Sequence, residues 1–527
     1  MKQTLLLMKL FVLAVIFLPA VTSAQLIYTG ANLDINNVNA RINNELSHFW
    51  DPVTQSPTYE VPKGTGNMSI YTGSLWIGGL DPQGNLHMAA QTYNQNGEVG
   101  YYPGPLDTVN GTSADPVVWN SIWKVNKADI DYHIAHWNDL MYIMPASIST
   151  WPGNAPAGSN FNPVLAPFFD SNANGIYEPA LGEFPSILGD QAIYFICNDN
   201  YAPSPFNIPS LGIEIHGMAY AFDRPNDPAL NNSIFFNYQI ANYSGIDYHD
   251  VYVSLFTDFD LGNFADDYVG TDVGRNMVYV YNSVPQVYDP AQGVKFLSPT
   301  LSNSIYYQNI NNVPYGNPSG SGFYSYCKGE WLDGLPLTFG GDGRGAGIGG
   351  TNTPSSYMFS GTTDTAFPGQ DWSMPGAGLS PSDVRMNGSI GPLNLVAGGH
   401  FDMDVAYITG FAAGPRGAVK VLQNYADDIG ARYLNGTLTS LTQAPANSPT
   451  TIHLSPTLVD NELNITFDQE LSGSYQLEIL SVDGKLVMNK TQMKGNAKLD
   501  LASLTSGVYF VKITSSEGVL TQRIMKQ

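Results

Sequence analysis

Cysteine is nearly absent, with only Cys197 and Cys327 in 527 residues. That excludes a scaffold stapled by many disulfides, and the lack of a C-x-x-C motif argues against a structural zinc module. The two thiols permit one bridge or two buried free cysteines, and Cys197 stands in the apolar run AIYFICND. Charge is sparse as well: Asp, Glu, Lys and Arg make up 13% of the chain, with 22 basic residues against 45 acidic. Residues 25–452 hold 13 basic and 37 acidic side chains, a net charge of −24 that repels nucleic acid and anionic membrane. No apolar run is long enough to span a bilayer as a helix. Familiar catalytic fingerprints are missing too, with no H-E-x-x-H, no G-x-S-x-G and no phosphate loop. The glycine-dense GGDGRGAGIGG at 340–350 lacks the Lys-Ser/Thr of a phosphate loop and reads as a plain loop.

What is plentiful is turn formers and aromatics: 53 Gly, 35 Pro, 31 Tyr and 24 Phe. That mix favours short strands joined by many turns. MSIYTGSLWIGGL, LGIEIHGMAYAFD, SIFFNYQIANYS, HDVYVSLFTDFD and RNMVYVYNSV are β-branched or aromatic runs between turn clusters. Alternation sets Phe236, Tyr238 and Ile240 on one face, and Val251, Val253 and Leu255 opposite Tyr252, Ser254 and Phe256. The expected fold class is mainly β, with an antiparallel β-sandwich body at 25–436 built as one or two packed units. Two helices are expected within it. KADIDYHIAHWNDL (127–140) is one, and a helix carrying Val421, Leu422, Tyr425, Ile429 and Tyr433 stops at Asn435-Gly436.

The ends of the chain carry an address. Residues 1–24 read as a secretory signal peptide: Lys2 and Lys9, a nine-residue apolar stretch Leu10–Leu18, Pro19, then TSA before Gln25. TLTSLTQAPANSPTTI (437–452) is a linker by composition. Beyond it, residues 453–527 predict a small Ig-like β-sandwich with hairpins turning at Asp483-Gly484 and Glu517-Gly518. LSPTLVDNELNI, LDLASLTSGVYFVKI and the basic terminal strand QRIMKQ resemble the type A C-terminal sorting domain of the type IX secretion system of Bacteroidota. The opening departs from the family's usual PNP at Thr457 and Leu458. The resemblance implies export through the outer membrane, engagement of the type IX machinery, removal of the domain, and release or attachment to surface lipopolysaccharide. The body resembles an uncharacterised group of large exported Bacteroidota proteins over EVPKGTGNMSIYTGSLWIGGLD, FDSNANGIYEPALGEFPSILGDQAIYF, DFDLGNFADDYVGTDVGRNMVYVYN and LDGLPLTFGGDGRG. That second resemblance implies location and architecture only.

Two acidic runs are candidate calcium sites. In DSNANGIYEPALGEFP, Asp170, Asn172 and Asn174 stand at i, i+2 and i+4 before Gly175, as in the first half of an EF-hand loop. Ile176 would supply a backbone carbonyl, but position 12 is Leu181 where an EF-hand has Glu. The closing carboxylate must come from Glu178, Glu183 or Asp190, and an Asx-turn without metal is the competing reading. In DFDLGNFADDYVGTD, Asp258 and Asp260 lie two apart at a strand end and project to one side, and Asp266, Asp267 and Asp272 follow. Like charges so close need a cation or a donor between them.

Other candidates are weaker. His133 and His136 have metal-compatible spacing but no third ligand, and His216 reads as structural. Tyr101, Tyr102, Tyr324, Tyr326 and Trp331 are either sugar-stacking platforms or packing residues, the latter being commoner in β-proteins. The expected function is therefore a secreted or cell-surface protein whose body is a calcium-stabilised binding or structural module for a glycan or protein ligand. The rival is a secreted hydrolase acting on polysaccharide or protein through acidic residues, and no catalytic pair stands out for it.

Overall fold

The computed structural model describes residues 28–93, 99–345, 347, 349–438, 452–456, 458–467, 474–481, 485–515 and 518–526. The expected signal peptide and most of the expected linker lie outside the described residues, as do the two hairpin turns at 483–484 and 517.

The long strands of the body are, in chain order, β1 (Met68–Leu80), β2 (Gln191–Asn198), β3 (Ile213–Ala221), β4 (Ser233–Asn242), β5 (Tyr248–Phe259), β6 (Pro290–Ser298), β7 (Asn303–Gln308), β8 (Val384–Leu395) and β9 (His400–Phe411). They form two antiparallel sheets. The first runs from Gly30–Leu33, Asn39–Asn43 and Tyr59–Glu60 through β1, β5, β8 and β7, with Leu86–Ala90 added to β1. The second runs from Asp267–Asp272 and Met277–Asn282 through β6, β9, β4, β3 and β2 to Tyr102–Pro103, with Trp123–Asn126 also on β2. Side chains of both sheets meet in one core, as a β-sandwich requires.

Period-2 alternation explains why the second sheet is buried on both sides. In β2, Ile193, Phe195 and Cys197 enter the core between the sheets, whereas Ala192, Tyr194 and Ile196 join a second cluster on the outer face. That outer face is roofed by α1 (Lys127–His136) at one end and by α3 (Pro415–Leu434) over β6 and β9. A third helix, α2 (Gly322–Cys327), packs on β1 of the other sheet. Both helices expected from the sequence are present. Leu422, Ile429 and Tyr433 are buried as the spacing demands, and Val421 and Tyr425 are half-buried.

The sheet beneath α3 is lined by small residues. Ala291 on β6 lies opposite Gly410 on β9, and Gly293 on β6 and Ala406 on β9 stand further along the same two strands. A Cβ at Gly410 would come within 2.5 Å of the Leu422 backbone nitrogen and 2.8 Å of the Ala418 carbonyl oxygen. Neither atom can yield without moving the helix. Gly410→Val is therefore expected to destabilise the body by about 1–3 kcal/mol or more through overpacking. Thermal melts of the purified protein check this, and an unchanged midpoint would show that the close approach is unnecessary.

Cys197 and Cys327 are both free and buried, so the disulfide alternative is not realised. Residues 452–526 form a separate small sandwich of a three-stranded and a five-stranded sheet. Its own core includes Leu463, Ile465, Leu477, Ile479, Val511, Ile513 and Ile524. The hairpins 475–481/486–493 and 507–515/518–526 pair as the sequence predicts.

Candidate metal centre

Two neighbouring strand ends bring a group of carboxylates together. Asp258 on β5 lies directly opposite Arg385 on β8 in the antiparallel ladder. Asp260 follows Asp258 by two residues and Asp383 precedes Arg385 by two. Each strand end therefore sends an i, i+2 pair to the same side, and one carboxylate oxygen from each of Asp258, Asp260 and Asp383 lies within 4.8 Å of the others. Oxygens around one calcium ion, at about 2.3–2.6 Å from it, can stand up to about 4.6–5.2 Å apart.

Arg385 is the positive group in this set. Its Nη2 donates to Asp258 Oδ2 at 3.0 Å, its Nη1 donates to Asp383 Oδ1, and its Nε and Nη2 donate to the Tyr93 hydroxyl at 3.2 and 3.0 Å. Tyr93 in turn donates to Asp258 Oδ2. Asp383 Oδ2 accepts from Asn309. Asp258 is 1% exposed, and its Oδ1 has no hydrogen-bond partner among the described residues. Burial pushes the Asp258 carboxyl up to about 6, against the pull of Arg385. Burial, then the charges of Asp258 and Asp383, push Asp260 up to about 8. Burial also holds fully enclosed Asp267 well above the ordinary carboxyl range, and its Oδ1 is likewise without a partner among the described residues. One guanidinium does not neutralise this many carboxylates, so the donor set suits a hard divalent cation.

Asp266 accepts from Gln286 and flanks the group in the short turn before Asp267. Asp272 is committed elsewhere, to Arg275 and Gln423. The site residue that the sequence did not reveal is Asp383, with its partner Arg385. The only local signal is D-x-R at the head of a strand, 125 residues beyond Asp258. Only the pairing of β5 with β8 gives it meaning.

The loop after Asp170 is a different construction. Asp170 Oδ2 accepts from the Gly175 nitrogen at 2.7 Å, Asn172 Oδ1 from that of Asn174 at 3.0 Å, and Asn174 Oδ1 from that of Ile176 at 2.7 Å. These are Asx-turns in which the would-be ligand oxygens satisfy the backbone. Glu178 joins them, accepting from the side-chain amides of Asn172 and Asn174 at 3.2 and 2.7 Å. Glu183 is fully buried beneath the loop and accepts from the backbone nitrogens of Ser171 and Glu178. Asp190 is not part of it, being held by Arg224 and the Asp223 nitrogen. The two acidic runs thus have separate partners, and no buried side-chain oxygen of the 170–183 loop is left without one among the described residues.

The remaining candidates resolve simply. His133 pairs with the Tyr142 hydroxyl and His136 with Asp139, so the two imidazoles diverge. His216 is bonded to Glu214 and Tyr194 inside the fold. Of the two readings for the aromatics, packing holds for Tyr101, Tyr324, Tyr326 and Trp331, which are core residues. The stacked Tyr307–Tyr326 pair and Trp331 against Tyr306 show where their ring faces went: into packing over the first sheet. Tyr102 remains half-buried.

Among the described residues no helix is long and apolar enough to cross a membrane. Comparison with curated proteins returns no match. Solved structures give faint likenesses. A polysaccharide lyase is 8% identical, with a TM-score of 0.20, over 68% of this chain and 38% of its own. The BSP domain of a biofilm-associated protein is 9% identical, with a TM-score of 0.13, over 64% and 60%. PorZ, a surface component of the type IX secretion system of Porphyromonas gingivalis, is 9% identical, with a TM-score of 0.13, over 68% and 47%. The chain thus spans less than two thirds of the length of each. The family described as "Secretion system C-terminal sorting domain" matches residues 456–527, the small sandwich with its own core. Residues 456–527 are therefore a type IX secretion sorting domain, and the protein is cargo of that pathway, delivered to the cell surface or beyond it.

Proposed function

We propose that the body is a non-catalytic binding or structural module, held rigid by calcium at Asp258, Asp260 and Asp383, and displayed at the surface or released after export. One observation carries the calcium reading: three carboxylates converge from adjacent strand ends, and a buried oxygen of Asp258 has no other partner among the described residues. Calcium there would supply the positive charge that Arg385 alone does not. Asp258 would face the ion through Oδ1 while its Oδ2 stays with Arg385 and Tyr93. The 170–183 loop, with Glu178 as its closing carboxylate, is a weaker second position, because a cation must displace its backbone contacts. Anchoring to lipopolysaccharide after loss of the sorting domain, and a glycan or protein ligand for the body, belong to the same proposal.

Calcium near 100 times its dissociation constant is expected to stabilise the chelator-treated protein by about 2.7 kcal/mol. The pH dependence follows from Asp260. Burial and the neighbouring carboxylates put its carboxyl at about 8 when folded, against about 3.9 in an unfolded chain. Without metal, its contribution favours the folded state fully below about pH 4 and is lost as pH rises toward 8. Calcium competes with that proton, so the rise in melting temperature should be larger at pH 8 than at pH 5. Equal melts with calcium and chelator at both pH values would overturn the metal reading.

The hydrolase reading has one observation in its favour: Asp260, with its raised pKa, sits beside a second carboxylate, an arrangement that suits an acid. Against it, Asp258 is locked between Arg385 and Tyr93 and is not free to act as base or nucleophile. Turnover of a glycan or peptide panel that is lost in Asp260→Asn would favour the enzyme. Binding without turnover would favour the module.

A further inference from the structure

The last strand of the sorting domain, β10 (Gly518–Lys526), alternates like any other strand, and its two sides have different neighbours. Ile524 points into the sorting domain's own core. Arg523 and Met525 point the other way, onto the body. Met525 packs against the outer-face cluster of the second sheet. The Arg523 guanidinium lies 4.9 Å over the ring of Tyr433, in the last turn of α3. Its Nη1 stands 3.6 Å from Asp404 Oδ2 on β9. Asp404 is 4% exposed in this pair and Arg523 only 18%, so both charges are withdrawn from water.

The notch is built from the body's own residues. The Tyr433 hydroxyl donates to Asp404 Oδ2 at 2.5 Å, and Asn237 on β4 donates to Oδ1 at 2.8 Å. Asp402, two residues along β9, adds a second carboxylate on the same side, and Gln239 faces it. A planar cation over an aromatic face and beside a carboxylate is the arrangement that suits guanidinium over ammonium. The body is strongly acidic and the terminal strand basic, so the wider charge favours the same contact.

We propose that the Asp404–Tyr433 notch is a receptor for the chain's own sorting domain. Arg523 and Met525 dock the domain on the body in the full-length protein, and the secretion machinery must compete with this contact to separate them. The docking is distinct from the sorting function itself and does not depend on the calcium reading.

The test is small-angle scattering on the full chain. Wild type should scatter as one compact particle. Arg523→Glu should raise the radius of gyration by about a tenth, as expected for a small domain released on a short linker. Tyr433→Leu should do the same while leaving the sorting domain's sequence intact, so it decides the matter if the Arg523 variant misfolds. Arg523→Lys should stay more compact than Arg523→Glu. A wild type that already scatters as two tethered bodies would overturn the proposal, as would a Tyr433→Leu variant as compact as wild type.

Discussion

Deleting residues 453–527 is expected to abolish delivery of the body across the outer membrane, from most of the population to background. The domain removed is the one that matches the sorting family, and it has a hydrophobic core separate from both clusters of the body. The body should therefore still fold, with the outer-face surface that Arg523 and Met525 cover, around Asp404 and Tyr433, newly exposed. Loss of export then reports on routing and not on misfolding. Protease accessibility on whole cells and fractionation measure it, with melting of the truncated chain as the folding control. Truncated protein that reaches the surface at the wild-type level would contradict the sorting role.

Replacing Arg385 with methionine is expected to be the most damaging single substitution near the candidate metal centre. Arg385 is 4% exposed and bonds Asp258, Asp383 and Tyr93. Without it Asp258 stays buried with no compensating charge, and breaking one side of a buried ion pair costs about 3–5 kcal/mol. The double change Arg385→Met with Asp258→Asn removes both charges and should recover much of that loss. Chemical denaturation in chelator measures all three proteins. The experiment also bears on the metal. Losing the guanidinium leaves the carboxylates more negative, so calcium should stabilise Arg385→Met more than wild type. A variant insensitive to calcium would argue that these carboxylates do not form a cation site.

The outline of the architecture is legible in the residues alone. Alternating Phe236, Tyr238 and Ile240 could only be a strand with one face buried, and they lie together in the core between the sheets. The spacing of Leu422, Ile429 and Tyr433 could only be a helix laid on a surface, and α3 is that helix. The sorting domain was legible because its motifs are local and ordered along the chain. The Asp258–Asp260 pair was legible as an acidic strand end, for the same local reason.

The rest depends on residues far apart in the chain that folding brings together. Asp383 and Arg385 become site residues because β8 pairs with β5, and a register one residue away would turn both side chains to the other face. Tyr324, Tyr326 and Trp331 resemble exposed aromatics in a turn-rich segment. They are buried because that segment folds back over the first sheet, where ring faces have more apolar surface to cover than solvent offers. The DSNANG loop carries calcium-ligand chemistry in its residue types, but its oxygens bond the backbone, since Asx-turn geometry and metal coordination use the same atoms. Local periodicity fixes which face a side chain takes. Only the packing of distant strands fixes what lies across from it, and charge pairing and metal coordination depend on that second quantity.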